Sequence, residues 1–159
     1  MLYLGTTQHL FMKIINYTKI FREDCIKIFK SNMPKFFAAE ELPFFESFLD
    51  DDTEENYFVV KMDAQIIGCG GFFLDTKSNV GGLSWGMVHV DYHGKGIGKA
   101  FTQYRIDLLK KTYPAIPYKI ETSQHTAEFY KKNGFRTVEI VPDGFSKGID
   151  KYTMMMDVI

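Results

Sequence analysis

Val88-His89-Val90-Asp91-Tyr92-His93-Gly94-Lys95-Gly96-Ile97-Gly98-Lys99-Ala100 joins an apolar run to an amphipathic one through three glycines at alternate positions. Glycine lets a backbone turn sharply and approach a ligand closely. The first N–H groups of a helix lack partners within it, and its dipole presents a positive end there. The join therefore predicts an anion site that a pyrophosphate would fit. Lys95 and Lys99 add charge beside it. The same spacing suits a plain Gly-rich turn packing strand against helix, so spacing alone leaves both readings open. Two phosphate motifs are excluded. A nucleoside-triphosphate loop ending at Gly98-Lys99 would have His93 in place of its first glycine and Ala100 in place of the hydroxyl that holds Mg²⁺. The dinucleotide pattern Gly-x-Gly-x-x-Gly ends on Lys99 or Phe101 instead of glycine.

Outward from this stretch, periodicity gives the order of elements. Gly81 to Val90 reads as a strand after the turn residues Ser78-Asn79, and Tyr57–Met62 with Gln65–Leu74 reads as a hairpin about Asp63-Ala64. Met12 to Tyr17 predicts another strand. Phe21, Cys25, Ile28 and Phe29 recur at helical spacing after the cap Thr18, until Asn32-Met33-Pro34 stops the run. Ala39 to Leu49 is a second, aromatic-rich helical region. The acidic run Asp50 to Glu55 reads as a solvated connection, not a metal site. Past the glycines, Ile97, Phe101, Tyr104 and Leu108 share one face of a helix of about fourteen residues, which Pro114 and Pro117 end. Tyr118–Glu121, Phe135–Val141 and Lys151–Val158 then read as strands, with a short helix over Gln124–Lys132. This alternation predicts an α/β fold with a mixed sheet, its parallel part at the strands either side of the Gly-rich helix.

The residues from Val88 to Ala100 resemble the acetyl-CoA motif of the GNAT superfamily of N-acetyltransferases. Ala127-Glu128-Phe129-Tyr130-Lys131-Lys132-Asn133-Gly134-Phe135 resembles that superfamily's second block, a helix ending in Tyr-x-x-x-Gly-Phe. Tyr57 to Gly71 is similar to its central hairpin, and the likeness spans about Asn56 to Ile159. Thr122-Ser123-Gln124-His125-Thr126, with Asp143-Gly144-Phe145 and Gly148-Ile149-Asp150, is similar to one bacterial branch of the family. The resemblance implies a mixed central sheet of about six to seven strands flanked by helices, with a parallel splayed pair at the cofactor site. It implies acetyl transfer from acetyl-CoA, the acyl donor, to a primary amine by direct attack in a ternary complex.

The resemblance also implies roles. The strand through Met87, Val88 and Val90 would offer backbone groups to the pantetheine arm. The N–H groups of His93, Gly94, Lys95, Gly96, Ile97 and Gly98, with Lys99 nearby, would hold the pyrophosphate, and Ser123 would contribute where the family often has Asn. Tyr130 would act as general acid toward the departing thiolate, since a phenol is protonated at neutral pH and able to donate. His93 stands where the family usually has Gln or Arg, and Val90 replaces a common Pro. Direct attack also needs a base, for which the residues offer Glu121, His89 and His125. Trp85, Phe36, Phe37, Phe44 and Phe45 are either core or acceptor-pocket wall.

Composition bounds what remains. The 159 residues suit one domain, read as residues 1–159 with 1–11 as an N-terminal extension and Met12 as an alternative start. Nineteen basic against twenty acidic residues argue against a nucleic-acid binder or a polybasic membrane tether. No apolar run is long enough to span a membrane, no secretory signal pattern is present, and two cysteines form no disulfide framework or four-ligand zinc site; a cytoplasmic protein is expected. The expected partner is a small-molecule or peptide amine, with neither metal nor nucleic acid, and an exposed strand edge suits a homodimer. Two other classes stand beside the enzyme. One is a CoA-binding sensor or scaffold without activity. The other is a serine hydrolase built on Gly82-Leu83-Ser84-Trp85-Gly86, for which Asp107 and His125 follow in order but no helix follows Ser84.

Overall fold

Along Tyr57–Met62 the side chains alternate between two interiors, as a strand dictates. Phe58, Val60 and Met62 enter one apolar cluster, Tyr57 and Val59 another. In the computed structural model, which describes residues 2–5 and 11–157, this strand is one of eight in a single sheet. The strands are β1 (Leu2–Gly5), β2 (Phe11–Asn16), β3 (Tyr57–Met62), β4 (Gln65–Asp75), β5 (Val80–Val88), β6 (Tyr118–Thr122), β7 (Arg136–Ser146) and β8 (Ile149–Met156). The helices are α1 (Arg22–Ser31), α2 (Leu42–Asp51), α3 (Ile97–Thr112) and α4 (Ala127–Lys132). The spatial order is β1-β2-β3-β4-β5-β6-β8-β7. Only β5 and β6 run parallel, joined by the crossover through α3, and every other pairing is antiparallel.

The mixed sheet and its parallel pair are as the sequence predicts, with β2 to β8 supplying seven strands. The eighth, β1, lies within the stretch read as an extension and pairs with β2 from Leu2↔Ile14 to Gly5↔Phe11. Residues 1 and 6–10 of that stretch, and Val158 at the end of the last expected strand, lie outside the described residues. Helices cover both faces. On one, Cys25, Ile28 and Phe29 of α1 and Phe45 and Leu49 of α2 pack on Tyr57, Val59, Cys69 and Met87. On the other, Ile97, Phe101, Ile106 and Leu109 of α3 pack on Leu83, Tyr118 and Ile120. Both cysteines are buried and free.

Three boundaries differ from expectation for local reasons. Asp50 and Asp51 belong to α2, and Asp50 takes the Arg22 guanidinium on both oxygens at 2.6 and 3.1 Å, tying α2 to α1. That hydrogen bond holds the Asp50 carboxyl below its ordinary range. The short helix begins at Ala127 instead of Gln124, because Ser123 first closes a turn: its carbonyl accepts the N–H groups of Thr126 and Ala127. Strand β7 runs on through Pro142-Asp143-Gly144 to Ser146. It lies at the sheet edge, where a proline's missing donor costs no ladder bond.

Candidate functional site

The parallel pair is short. Gly81 faces Tyr118 and Gly82 faces Lys119, and beyond these β5 and β6 separate. The cause lies in β5. Its register with β4 shifts between Cys69 and Gly71, and Trp85 takes a left-handed φ of 37°. Such a bulge bends a strand and sharpens its twist. The kink is held by the buried Tyr57, whose hydroxyl donates to the Trp85 carbonyl at 2.7 Å. Burial pushes the Tyr57 phenol well above its ordinary range.

The gap opens a cavity of about 860 Å³ that runs from the Gly-rich loop to the aromatic layer under α1 and α2. At the loop end, Gly94 and Gly96 have φ of 76° and 80°, conformations that side chains rarely adopt, and a Cβ on either would meet only open space. Gly96 caps α3 without any side-chain bond, so the first N–H groups of a sixteen-residue helix are presented unpaired by a side chain. Lys99 lines the same end.

The strand end is shaped by α1. A strand turns its backbone groups alternately to either side, and His89 N–H bonds to the Ile67 carbonyl of β4. Val88 therefore faces the other way, into the gap. Its carbonyl receives Asn32 Nδ2 at 3.0 Å, and a His93 ring nitrogen lies 2.8 Å away. Ser31 Oγ accepts Val90 N–H at 3.1 Å, a bond that a proline at this position would forbid.

Of the residues expected to hold a cofactor, Met87, Val88, His93, Gly94, Gly96, Gly98, Lys99 and Ser123 line the cavity. Three do not. Val90 lies in the 3₁₀ turn after β5, Ile97 is buried in the core, and Lys95 stands over the Tyr92 ring at 5.4 Å. Ser123 is 4% exposed and its hydroxyl accepts His125 N–H.

Tyr130 lines the cavity from α4, nearly buried, its ring edge-on to Phe129 and Phe135. Its hydroxyl makes no hydrogen bond among the described residues. Glu121 also lines the cavity, 3.3 Å from Lys119 Nζ, whereas His89 and His125 do not line it. His89 caps the turn after β5 by accepting Asp91 N–H. Of the aromatic candidates, Phe36, Phe37 and Trp85 form wall, Phe45 is core, and Phe44 is 71% exposed. Ser84 sits in the cavity wall, but β5 runs on past it to Val88, so the strand-to-helix elbow of a serine hydrolase is absent.

Two charged residues of the wall carry no sequence motif. Glu41 lies at the aromatic end with Oε2 accepting Ala38 N–H at 2.8 Å, and burial raises its carboxyl above the ordinary range. Arg105 reaches the cavity from α3. Spacing signalled neither. Glu41 reads as one of several acids opening α2, and Arg105 falls between apolar positions on a helix face. No group of three or more His, Cys, Asp or Glu side chains is placed to hold a metal among the described residues, and none of their helices is long and apolar enough to cross a membrane.

The family model of the acetyltransferase (GNAT) domain matches residues 53–137, more than half of the chain. No curated protein matches. Among solved structures, Ard1 from Thermoplasma volcanium superposes with a TM-score of 0.75 at 17% identity, covering 93% of this chain and 98% of that one. The ribosomal-protein-S18-alanine N-acetyltransferase from Escherichia coli gives 0.70 at 18%, covering 92% and 94%. A chain of a NatC complex bound to Gag peptide and CoA gives 0.73 at 15%, covering 93% and 99%. At these identities the superpositions show a shared fold.

Proposed function

This chain belongs to the GNAT acetyltransferase family, and from that premise we propose that it moves an acetyl group from acetyl-CoA to a primary amine by direct attack. One observation supports the cofactor reading above the rest: the uncapped start of α3, with left-handed Gly94 and Gly96, opens onto the gap between β5 and β6. Backbone N–H groups from Gly94 to Gly98 would take the pyrophosphate, that of His93 being bonded to the Val90 carbonyl at 3.2 Å, and Lys99 would add charge. The arm would then run along β5 past Val88 and Met87. Its amide would share or displace the contact His93 makes with the Val88 carbonyl. The acetyl group would come to rest beside Trp85 and Gly86, where the aromatic wall begins.

In this reading the amine attacks the thioester carbonyl, the tetrahedral adduct collapses, and CoA leaves as thiolate. Tyr130 gives the thiolate a proton, and a carboxylate takes one from the amine. The residues nominate Glu121 for that base. Glu41 competes on a specific observation, since burial raises its carboxyl toward the range in which a base works near neutrality. Replacing the true base by glutamine is expected to cost at least about tenfold in turnover and to flatten the acid limb of the pH–rate profile. The other glutamine variant keeps that limb.

Stability gives Glu41 a second readout. Its folded pKa is raised, so its carboxyl favours folding below the unfolded value, about 4.3 for Glu, and that contribution is lost as pH rises through the folded value. Glu41→Gln is therefore expected to melt no lower than the wild type at pH 8, with any excess shrinking as pH falls toward 4. A variant less stable at pH 8 would contradict the burial argument.

The cofactor assignment is tested by thermal unfolding with CoA, acetyl-CoA, ATP and NAD. At a hundred times Kd a ligand of the folded state adds about 2.7 kcal/mol, or roughly 5–10 °C for a chain of this size. CoA and acetyl-CoA are expected to give that shift, and ATP and NAD none. No shift with either thioester carrier would remove the reading. CoA binding without turnover on any amine would favour a sensor or scaffold. The outer edge of β7, which pairs only with β8 among the described residues and carries the exposed Val138, Ile140 and Val141, is where a second copy would pair if the protein dimerises.

A further inference from the structure

Arg105 is the largest side chain of the fully buried set, 2% exposed, yet the described residues offer it no carboxylate. The fold makes room for it. A Cβ on Gly86 of β5 would lie 2.4 Å from Nη2 and 2.7 Å from Nη1, and one on Gly70 of β4 would lie 3.0 Å from Cζ. Two glycines therefore clear the bed in which the guanidinium lies, with the Phe101 ring centroid 4.9 Å from Cζ. Of its five N–H donors the described residues satisfy one, Nη1 to the Gly71 carbonyl at 3.3 Å, and Nε is buried without a partner.

A guanidinium does not shed its charge inside a protein, and a buried ion is costly unless an opposite charge meets it. Both acids of the cavity wall are held elsewhere, Glu41 by Ala38 N–H and Glu121 by Lys119, and neither pairs with Arg105. The anion expected at the Gly-rich loop is a different one. Arg105 stands eight residues beyond Ile97, about 12 Å along the axis of α3. Its head lies instead against Gly86, where the proposed course of the arm brings the reacting thioester.

We propose that Arg105 receives a carboxylate carried into the inner end of the cavity by a substrate, so that the transferase selects a carboxylate-bearing reactant. This rests on the cofactor reading given above. The carboxylate has two sources: the acceptor, as an amino acid or short peptide with its own carboxylate, or the acyl chain of the donor, as in a dicarboxylic monothioester of CoA. The forked donors match a carboxylate on two bonds, which a neutral thioester oxygen alone does not call for.

Thermal unfolding separates the sources. In the donor arm the wild type is melted with succinyl-CoA, malonyl-CoA and acetyl-CoA at equal concentration. In the acceptor arm the CoA-saturated protein is melted with free amino acids and with their carboxamides. In one arm the carboxylate member is expected to bind at least tenfold tighter, an added rise of about 3–5 °C for a chain of this size. Arg105→Gln is expected to abolish that difference while CoA alone still stabilises it, and Arg105→Lys to keep part of it. A merely structural arginine would lower the response to both members alike. No difference in the wild type in either arm overturns the proposal, as does a difference that survives in Arg105→Gln. If Arg105→Gln does not fold, the wild-type difference and its reduction in Arg105→Lys decide the matter. Absence of any CoA shift in the wild type would instead fell the cofactor reading, so the two failures are distinct.

Discussion

Tyr130→Phe is expected to lower turnover about a hundredfold, with CoA affinity unchanged within about threefold. The substitution removes one oxygen from a side chain whose ring is already packed edge-on against Phe129 at 5.1 Å and Phe135 at 6.0 Å. Because that hydroxyl has no partner among the described residues, its loss strands no buried donor or acceptor, and the melting temperature should move by no more than about 2 °C. A fall in turnover can then be read as lost proton transfer instead of lost structure. Steady-state kinetics with saturating acetyl-CoA, beside calorimetric titration of CoA, makes the check. Turnover within about twofold of the wild type would leave Tyr130 as a wall residue and pass the thiolate's proton to water.

The second large effect is on stability. Phe29→Ala is expected to cost about 3–5 kcal/mol, the range for emptying a buried aromatic site, and to lower the melting temperature by roughly 10 °C. Phe29 is fully buried and stacks on Phe37 at 4.7 Å and on Phe45 at 5.4 Å, with Trp85 tilted at 6.4 Å. It does not line the cavity, but Phe37 and Trp85 do, so they lose backing when its ring is removed. Phe44→Ala serves as the control. That ring is 71% exposed, and its removal should shift the melt by no more than about 2 °C. Equal losses from the two substitutions would mean that the aromatic layer is not organised around Phe29.

Elements governed by local rules were legible in the sequence. Asp63, which carries the β3–β4 turn, has a left-handed φ of 54°, as a tight hairpin asks of an Asp or Asn. The Gly94 to Gly98 join declared a strand-to-helix turn, because alternate glycines there serve backbone geometry directly. The Ser123 turn hid inside an apparently helical segment, since a carbonyl accepting from Thr126 and Ala127 leaves no mark in residue types. The extent of β7 was concealed by Pro142, which reads as a stop unless the strand is known to lie at an edge.

The candidate site divides in the same way. Tyr130 and the loop belong to contiguous patterns. Glu41 and Arg105 acquire their standing from distant partners: Glu41 from burial at the aromatic end of the cavity, Arg105 from Gly70 and Gly86 on two different strands. No spacing rule along one chain reports a bed cleared by glycines sixteen residues apart in sequence and adjacent across a bulged ladder. Val90 is an intermediate case. Its missing proline is visible in the sequence, but the bond that uses its N–H requires the end of α1 to be in place.

The kink at Trp85 has a practical consequence. It is the chain's only tryptophan, and the bulge sets its indole in the cavity wall with the Phe45 ring 5.1 Å away. Indole emission changes colour and yield with the polarity of its surroundings and with quenchers in contact. The protein thus carries an intrinsic optical gauge at one defined point, where a molecule entering the cavity would displace solvent and change the spectrum. Rapid-mixing traces of that emission would time the arrival of donor and acceptor separately, without a label and before the acceptor's identity is known.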